Sequence, residues 1–201
     1  MASKVDIFNM ALFHIGSTSK VASETEATME RIACSTFYDT CLDALLAYKS
    51  ADWGFATTSV ALADLGTPAT NWRYRYAMPS DCVRPIGLVI PGDRNPGQGQ
   101  RIPYVLREGG SGQTLNTDQP EAELLYIRRG LPAERFPAFF VEALALRLGA
   151  MIAMPLKKDG GLQGELLQLA EQAIQVAIAA SLNQGQRDNE PESDYTLEAH
   201  A

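Results

Sequence analysis

Between Ser3 and Gly16 the apolar side chains Val5, Phe8, Leu12 and Ile15 recur at intervals of three and four residues, the spacing that gathers one face of an α-helix. Ser3 and Asp6 have the spacing of a capping box with Asp in place of Glu, and Gly16 supplies a left-handed stop, so a helix is predicted over 3–15. The periodicity returns after Ser23, whose partner Glu26 completes a second capping-box pattern. Ala27, Cys34, Tyr38, Cys41, Leu45 and Tyr48 form its stripe, widened by Phe37 and Ala44. They predict a helix over 23–48, roughly 24 residues or 36 Å long at 1.5 Å per residue, which needs a partner helix of similar length.

From Trp53 onward the pattern changes to short extended runs separated by turn residues: "TSVALA", "WRYRYAM", "VRPIGLVI", "IPYVLRE", "GQTLN" and "AELLYIRR". Trp72, Tyr74 and Tyr76 alternate with Arg73 and Arg75, the period of a half-exposed strand, and Pro79-Ser80-Asp81 breaks it. "IPYVLRE" should pair with "GQTLN" across Gly109-Gly110-Ser111-Gly112 as a bulged hairpin. Pro85 and Pro103 point to edge or irregular strands.

Helical spacing resumes near Pro137. The run Ala138 to Met154 carries only two charges, Glu142 and Arg147, but its seventeen residues fall short of the about 20 expected of a membrane span, and a central buried helix over 137–154 is the reading. A turn from Pro155 to Gly161 leads to a helix over 161–183, where Leu162, Leu166, Leu169, Ala173, Val176 and Ala180 form a seam at alternating four and three residues. The fold class is therefore α+β: a helical bundle of about four helices with a β-rich insertion, about 53–130, between the second and third long helices, and an extended C-terminal tail. Residues 1–183 form the domain; 184–201 are an acidic tail with only Tyr195 and Leu197 as apolar anchors, a composition that does not order alone.

Composition changes the picture only in places. A chain of 201 residues, 46% hydrophobic and 20% charged, is long enough for a substantial core. The formal charge of -7 argues against a free-standing protein that grips duplex DNA by counterion release, and leaves room for a local basic stripe or for a channel whose wall repels DNA. Cys34 and Cys41 lie about 10.5 Å apart along a helix axis, too far for a disulfide. With Cys82 they make an odd set of three thiols, read as reduced and mostly buried in a protein made in the cytoplasm. No CxxC pair accompanies the two histidines, His14 and His200, so a zinc site is not expected, and no cofactor is.

Candidate chemistry is sparse. The stretch "PGDRNPGQGQR" lacks the third glycine of a dinucleotide fingerprint, and no GK[ST] follows a glycine run. Neither histidine sits where it would serve a Ser or Cys nucleophile. Asp39 and Asp43, four apart on the polar face of the second helix, are read as solvated or intersubunit groups rather than an acid–base pair. Trp72 to Tyr76 offers two readings: a stacking platform for single-stranded nucleic acid, or a strand whose aromatics pack on the bundle while its arginines face solvent or a neighbouring subunit. The second is preferred because the alternation is strict.

With these residues in place, the chain resembles the head-to-tail adaptor proteins of short-tailed bacteriophages, the tail tubular protein A family. The resemblance runs from about residue 5 to 180 through six ordered blocks: "IFNMALFHIGS"; Glu24 followed by "FYDTCLDALLA"; "WGFA" at 53 to 56; "WRYRYAMPSDC"; "LLYIRRG" at 124 to 130; and "FPAFFVEALALRLGAMIAMPL". Asp52 stands where the family pattern has a proline before Trp53.

The resemblance implies a structural virion protein and no enzyme. It implies a twelve-subunit ring in the neck of the particle, between the portal protein and the tail nozzle protein, through which DNA passes without sequence-specific binding and with no membrane involved. A tail-associated hydrolase is the enzyme alternative. On the ring reading, Asp39, Asp43, Arg73 and Arg75 are expected at intersubunit contacts. Gly97, Gly99, Gly109, Gly110 and Gly112 are expected to face the nozzle on glycine-rich loops. Asp188, Glu190, Glu192, Asp194, Tyr195 and Leu197 of the tail are expected to meet the portal.

Overall fold

The computed structural model describes residues 2–48, 51–66, 68, 71–92, 101–110 and 112–184, the side chains of the last two residues excepted. It is mixed α and β, with four helices and two small antiparallel sheets of three strands each. The helices are α1 (Lys4–His14), α2 (Met29–Leu46), α3 (Ala138–Lys157) and α4 (Gly160–Gln184). Between α2 and α3 lie β1 (Thr57–Ala61), β2 (Tyr74–Ala77), β3 (Cys82–Leu88), β4 (Tyr104–Gly109), β5 (Gly112–Thr117) and β6 (Glu123–Arg128). The tail expected over 184–201 lies, beyond Gln184, outside the described residues.

The start of α1 follows the sequence expectation. The Ser3 hydroxyl accepts from the Asp6 backbone N–H at 3.1 Å while the Asp6 carboxylate accepts from the Ser3 N–H at 2.9 Å, and Gly16 turns out at φ +65°. Its buried face is Ile7, Phe8, Ala11 and Leu12, continued by Ile15; Val5 is only half-buried. The second helix is shorter than predicted. Glu26 does accept from the Ala22 and Ser23 N–H groups, but that closes a local turn, and Thr28 is the residue that caps α2, its hydroxyl accepting from the Arg31 N–H at 3.3 Å.

The third helix runs through Pro155 to Lys157, three residues past the predicted end. Lys158, at φ +57°, makes the left-handed turn, and the Asp159 carboxylate accepts from the Leu162 N–H at 3.0 Å to open α4. It is the one helix among the described residues long and apolar enough to cross a membrane, and it is instead covered by α1, α2 and α4. The seam on α4 is a correction. Leu166, Ala170, Ile174, Ala177 and Ile178 are buried, whereas Leu169 and Val176 are 48% and 54% exposed.

All six extended runs are strands. The sheet nearer the helices has the order β1-β6-β3 and the other β2-β5-β4, all antiparallel. Pro85 sits on edge strand β3, where the register to β6 shifts between Pro85 and Gly87. The two sheets meet at a corner. After β1 the chain continues alongside β2: the Ala77 N–H donates to the Ala63 carbonyl, the Leu65 N–H donates to the Arg75 carbonyl, and Asp64 bridges Tyr76.

Two cores result. The larger joins the four helices to Trp53 and to Ile127 of β6, with Val83 and Ile86 of β3 packed against it. The smaller lies between the sheets and is built from Tyr76, Leu88, Leu115, Ala122, Leu124 and Tyr126. Strand β6 serves both, because alternate side chains of a strand point to opposite faces. A ring cluster closes the larger core: Trp53 and Phe140 meet edge-on at 5.1 Å, Phe55 and Phe140 at 4.8 Å, and Phe136 and Phe140 at 5.2 Å.

Candidate interaction surfaces

The acidic pair on α2 opens onto a cleft. Asp39 is exposed, and Asp43 is ion-paired with Arg129, just past β6, at 3.3 Å. Both line a cavity of about 600 Å³ between α1, α2 and the connection from β6 to α3, together with Lys4, Glu24, Tyr38 and Glu134. Four carboxylates face two cations there. Lys4 reaches Glu24 at 3.8 Å and sits 4.7 Å from the centre of the Tyr38 ring, a cation–π contact at a site where both partners are tethered.

Tyr38 is 5% exposed. Burial first, and then the neighbouring charges of Asp39, Glu24 and Glu134, push its phenol up to about 12. The hydroxyl therefore stands in the field of three cleft carboxylates. The pattern of the sequence placed Tyr38 on the buried stripe and left its hydroxyl unremarked; the five carboxyl- and amine-bearing neighbours come from four separate segments, which periodicity along one helix cannot bring together.

Arg73 and Arg75 lie elsewhere, at and just before β2 in the second sheet. The fold does not bring them to Asp39 and Asp43 within one chain. Arg75 is engaged internally, donating to the Leu65 carbonyl at 3.0 Å, and its buried Nε, opposite Asn116, and the buried Asn116 Oδ1 each have no partner among the described residues. Arg73 is exposed, with its backbone N–H held by the Asp118 carboxylate at 3.0 Å. Tyr74 and Tyr76 beside them pack between the sheets rather than on the bundle, because the insertion has a core of its own. Tyr76 is 2% exposed and its hydroxyl donates to the Gln119 carbonyl at 3.0 Å, so its ring face is closed to a nucleobase.

The glycine-rich hairpin is tight rather than bulged. The register of β4 with β5 is continuous to Gly109 opposite Gly112, which leaves two positions for the loop. Its glycines have a local cause: a Cβ at Gly109 would lie 2.7 Å from the Thr114 methyl and 2.9 Å from the Gly112 carbonyl, and Gly112 has φ +121°. Gly110 has open space around it. Gly97 and Gly99, and the tail residues Asp188, Glu190, Glu192, Asp194, Tyr195 and Leu197, lie outside the described residues.

Outward apolar side chains are the feature that sequence reading missed. Phe13 and Met29 are each 69% exposed, with Ile32 beside them in chain order on α2, and Leu169 and Val176 stand outward on α4. Leu169 and Val176 were read as part of the core seam, while Phe13, Met29 and Ile32 fall off the predicted stripes of α1 and α2. The thiols, by contrast, follow expectation: Cys34, Cys41 and Cys82 are free, and burial pushes them up to about 12, about 11 and about 11, which keeps them protonated and unreactive.

No family model matches the chain, and no curated protein matches it.

Proposed function

We propose that the chain is a head-to-tail adaptor subunit of a short-tailed bacteriophage: a structural virion protein in which a four-helix body carries a β insertion and an extended acidic tail. The ordered series of six sequence blocks carries this reading. Two of the blocks depend on each other physically, since Trp53 and Phe55 of "WGFA" pack on Phe136 and Phe140 of the block that begins α3. A sequence pattern whose separate parts meet in one core is a signature of a fold, not of chance composition.

In this reading the subunits form a twelve-membered ring between portal and nozzle. A closed ring needs two different patches on each subunit, one for each neighbour. The outward Phe13, Met29 and Ile32 of α1 and α2, and the outward Leu169 and Val176 of α4, are apolar groups on separate helices of the kind such patches use. Mixed faces of this type stay soluble until many contacts form together, so ring closure is expected on a portal or nozzle template. The hairpin at Gly109, Gly110 and Gly112 is directed to the nozzle and the tail to the portal. Because the hairpin loop is already minimal, shortening it is no test; inserting residues at Gly110 is.

The deciding experiment is co-expression with portal and nozzle proteins of a short-tailed bacteriophage, followed by electron microscopy. The expected image is a ring of this protein at the portal–nozzle junction. Its absence from assembled necks sinks the reading.

A further inference from the structure

We infer that the cleft lined by Tyr38, Asp39 and Glu134 is a docking pocket for an arginine side chain presented by a partner protein. The cleft would take such a side chain whether or not that partner belongs to a phage particle.

Three observations point to a cation, and to this one. The first is a surplus of negative charge with no internal partner. Lys4 is paired with Glu24 and Arg129 with Asp43, which leaves the Asp39 and Glu134 carboxylates without an ion pair among the described residues. The second is Tyr38 itself. It is more than nine-tenths buried, it lines the cleft, and no hydrogen bond among the described residues acts on its hydroxyl, whose surroundings are burial and the three carboxylates Asp39, Glu24 and Glu134. The ring is buried while the hydroxyl opens on the cleft, where its two acceptor lone pairs are offered to a donor that enters. The third is the spread of the carboxylates. Among the described residues no three acidic, cysteine or histidine side chains converge closely enough to hold a metal ion. A guanidinium presents five N–H donors across a plane and bridges acceptors set wider than a metal permits.

The cavity of about 600 Å³ admits a long side chain end-on, and its walls suit the stem as well as the head. Leu42, Leu131 and Pro132 line it beside the charges and would cover the arginine methylenes. Inside, the guanidinium donates to the Tyr38 Oη and to one or both free carboxylates. An ammonium is a strongly hydrated point charge, and Lys4 already supplies one; it cannot reach separated acceptors at once.

The test uses the full chain and N-acetyl-arginine amide as the probe, followed through backbone amide resonances. Saturable shifts at Leu42, Gly130, Leu131 and Ala133 are expected, with a dissociation constant on the order of a millimolar. The response should weaken several-fold in Asp39→Asn and again in Glu134→Gln, two exposed substitutions that leave the fold intact, and should fall with added salt. Tyr38→Phe should weaken it while Tyr48→Phe should not. Absence of saturable shifts, the same response to N-acetyl-glycine amide, or an equal affinity for N-acetyl-lysine amide each overturns the assignment. None of these outcomes depends on ring assembly, so a failed pocket and a failed adaptor reading are told apart.

Discussion

The indole N–H of Trp53 donates to the backbone carbonyl of Leu45 at 2.9 Å, with both groups buried. Leu45 is in the last turn of α2, where carbonyls have no intrahelical partner, so the bond both caps the helix and fixes the chain that leads into β1.

Trp53→Phe removes the donor while keeping a ring against Phe140. It is expected to destabilise by about 0.5–1.5 kcal/mol, since the Leu45 carbonyl keeps a long bond from the Tyr48 N–H at 3.3 Å. Trp53→Ala adds a cavity and should cost about 3–5 kcal/mol. Urea denaturation of the two variants beside the parent checks both values; an unchanged midpoint for Trp53→Phe would mean that the hydrogen bond contributes nothing.

Arg84 gives a partner to Asp52, which stands where the adaptor pattern that the chain resembles has a proline. From β3 it donates to the Ala51 carbonyl and, at 2.9 Å, to the Asp52 carboxylate, tying the sheet to the chain just before Trp53. One nitrogen, Nη2, serves both acceptors, and the shorter side chain of Arg84→Lys stops about one bond short of it, so this variant should cost about 1–2 kcal/mol by the midpoint of chemical denaturation, whereas Asp52→Pro should cost less than Arg84→Ala. The reverse order would show the carboxylate, not the carbonyl, to be the main acceptor.

The hairpin allows a paired comparison within one loop. Gly109→Ala places a methyl within 2.9 Å of a backbone carbonyl and is expected to destabilise by about 1–3 kcal/mol. Gly110→Ala meets nothing within 4 Å and should stay within about 0.5 kcal/mol of the parent. Similar melting temperatures for the two variants would remove the steric account.

Alkaline pH should unfold the protein early. Cys34, Cys41 and Cys82 are raised from 9.0 to about 12, about 11 and about 11, and Tyr38 and Tyr126 from 10.0 to about 12. A raised acid holds its proton in the folded state where the unfolded chain has released it, so stability is intact below the unfolded values and falls as pH rises from about 9 toward 12. The urea midpoint should be level near about pH 8 and clearly lower by about pH 11. A level midpoint across that range contradicts it.

How much of this was legible depends on what each pattern had to decide. The cap of α1 was readable because all of its hydrogen bonds lie within four residues. The same signature at Ser23 and Glu26 misled, since those bonds formed in a turn and the helix began only at Thr28. On α4 the apolar positions form two neighbouring stripes, and periodicity cannot say which of them meets α3; the one through Leu166, Ala170 and Ile174 does. The strands were legible from alternation, but their pairing was not: β6 reaches back across four strands to lie between β1 and β3. The cleft was invisible for the same reason, being assembled from segments far apart in sequence.

Strand β6 gives Ile127 to the core beneath the helices and Leu124 and Tyr126 to the core between the sheets. Loss of either core strips one face of a strand that the other cannot do without. Such a chain should melt as one cooperative unit in spite of its two hydrophobic centres. Trp53 lies in the first and Trp72 stands half-buried at the edge of the second sheet, so the fluorescence of the two indoles reports on that coupling directly.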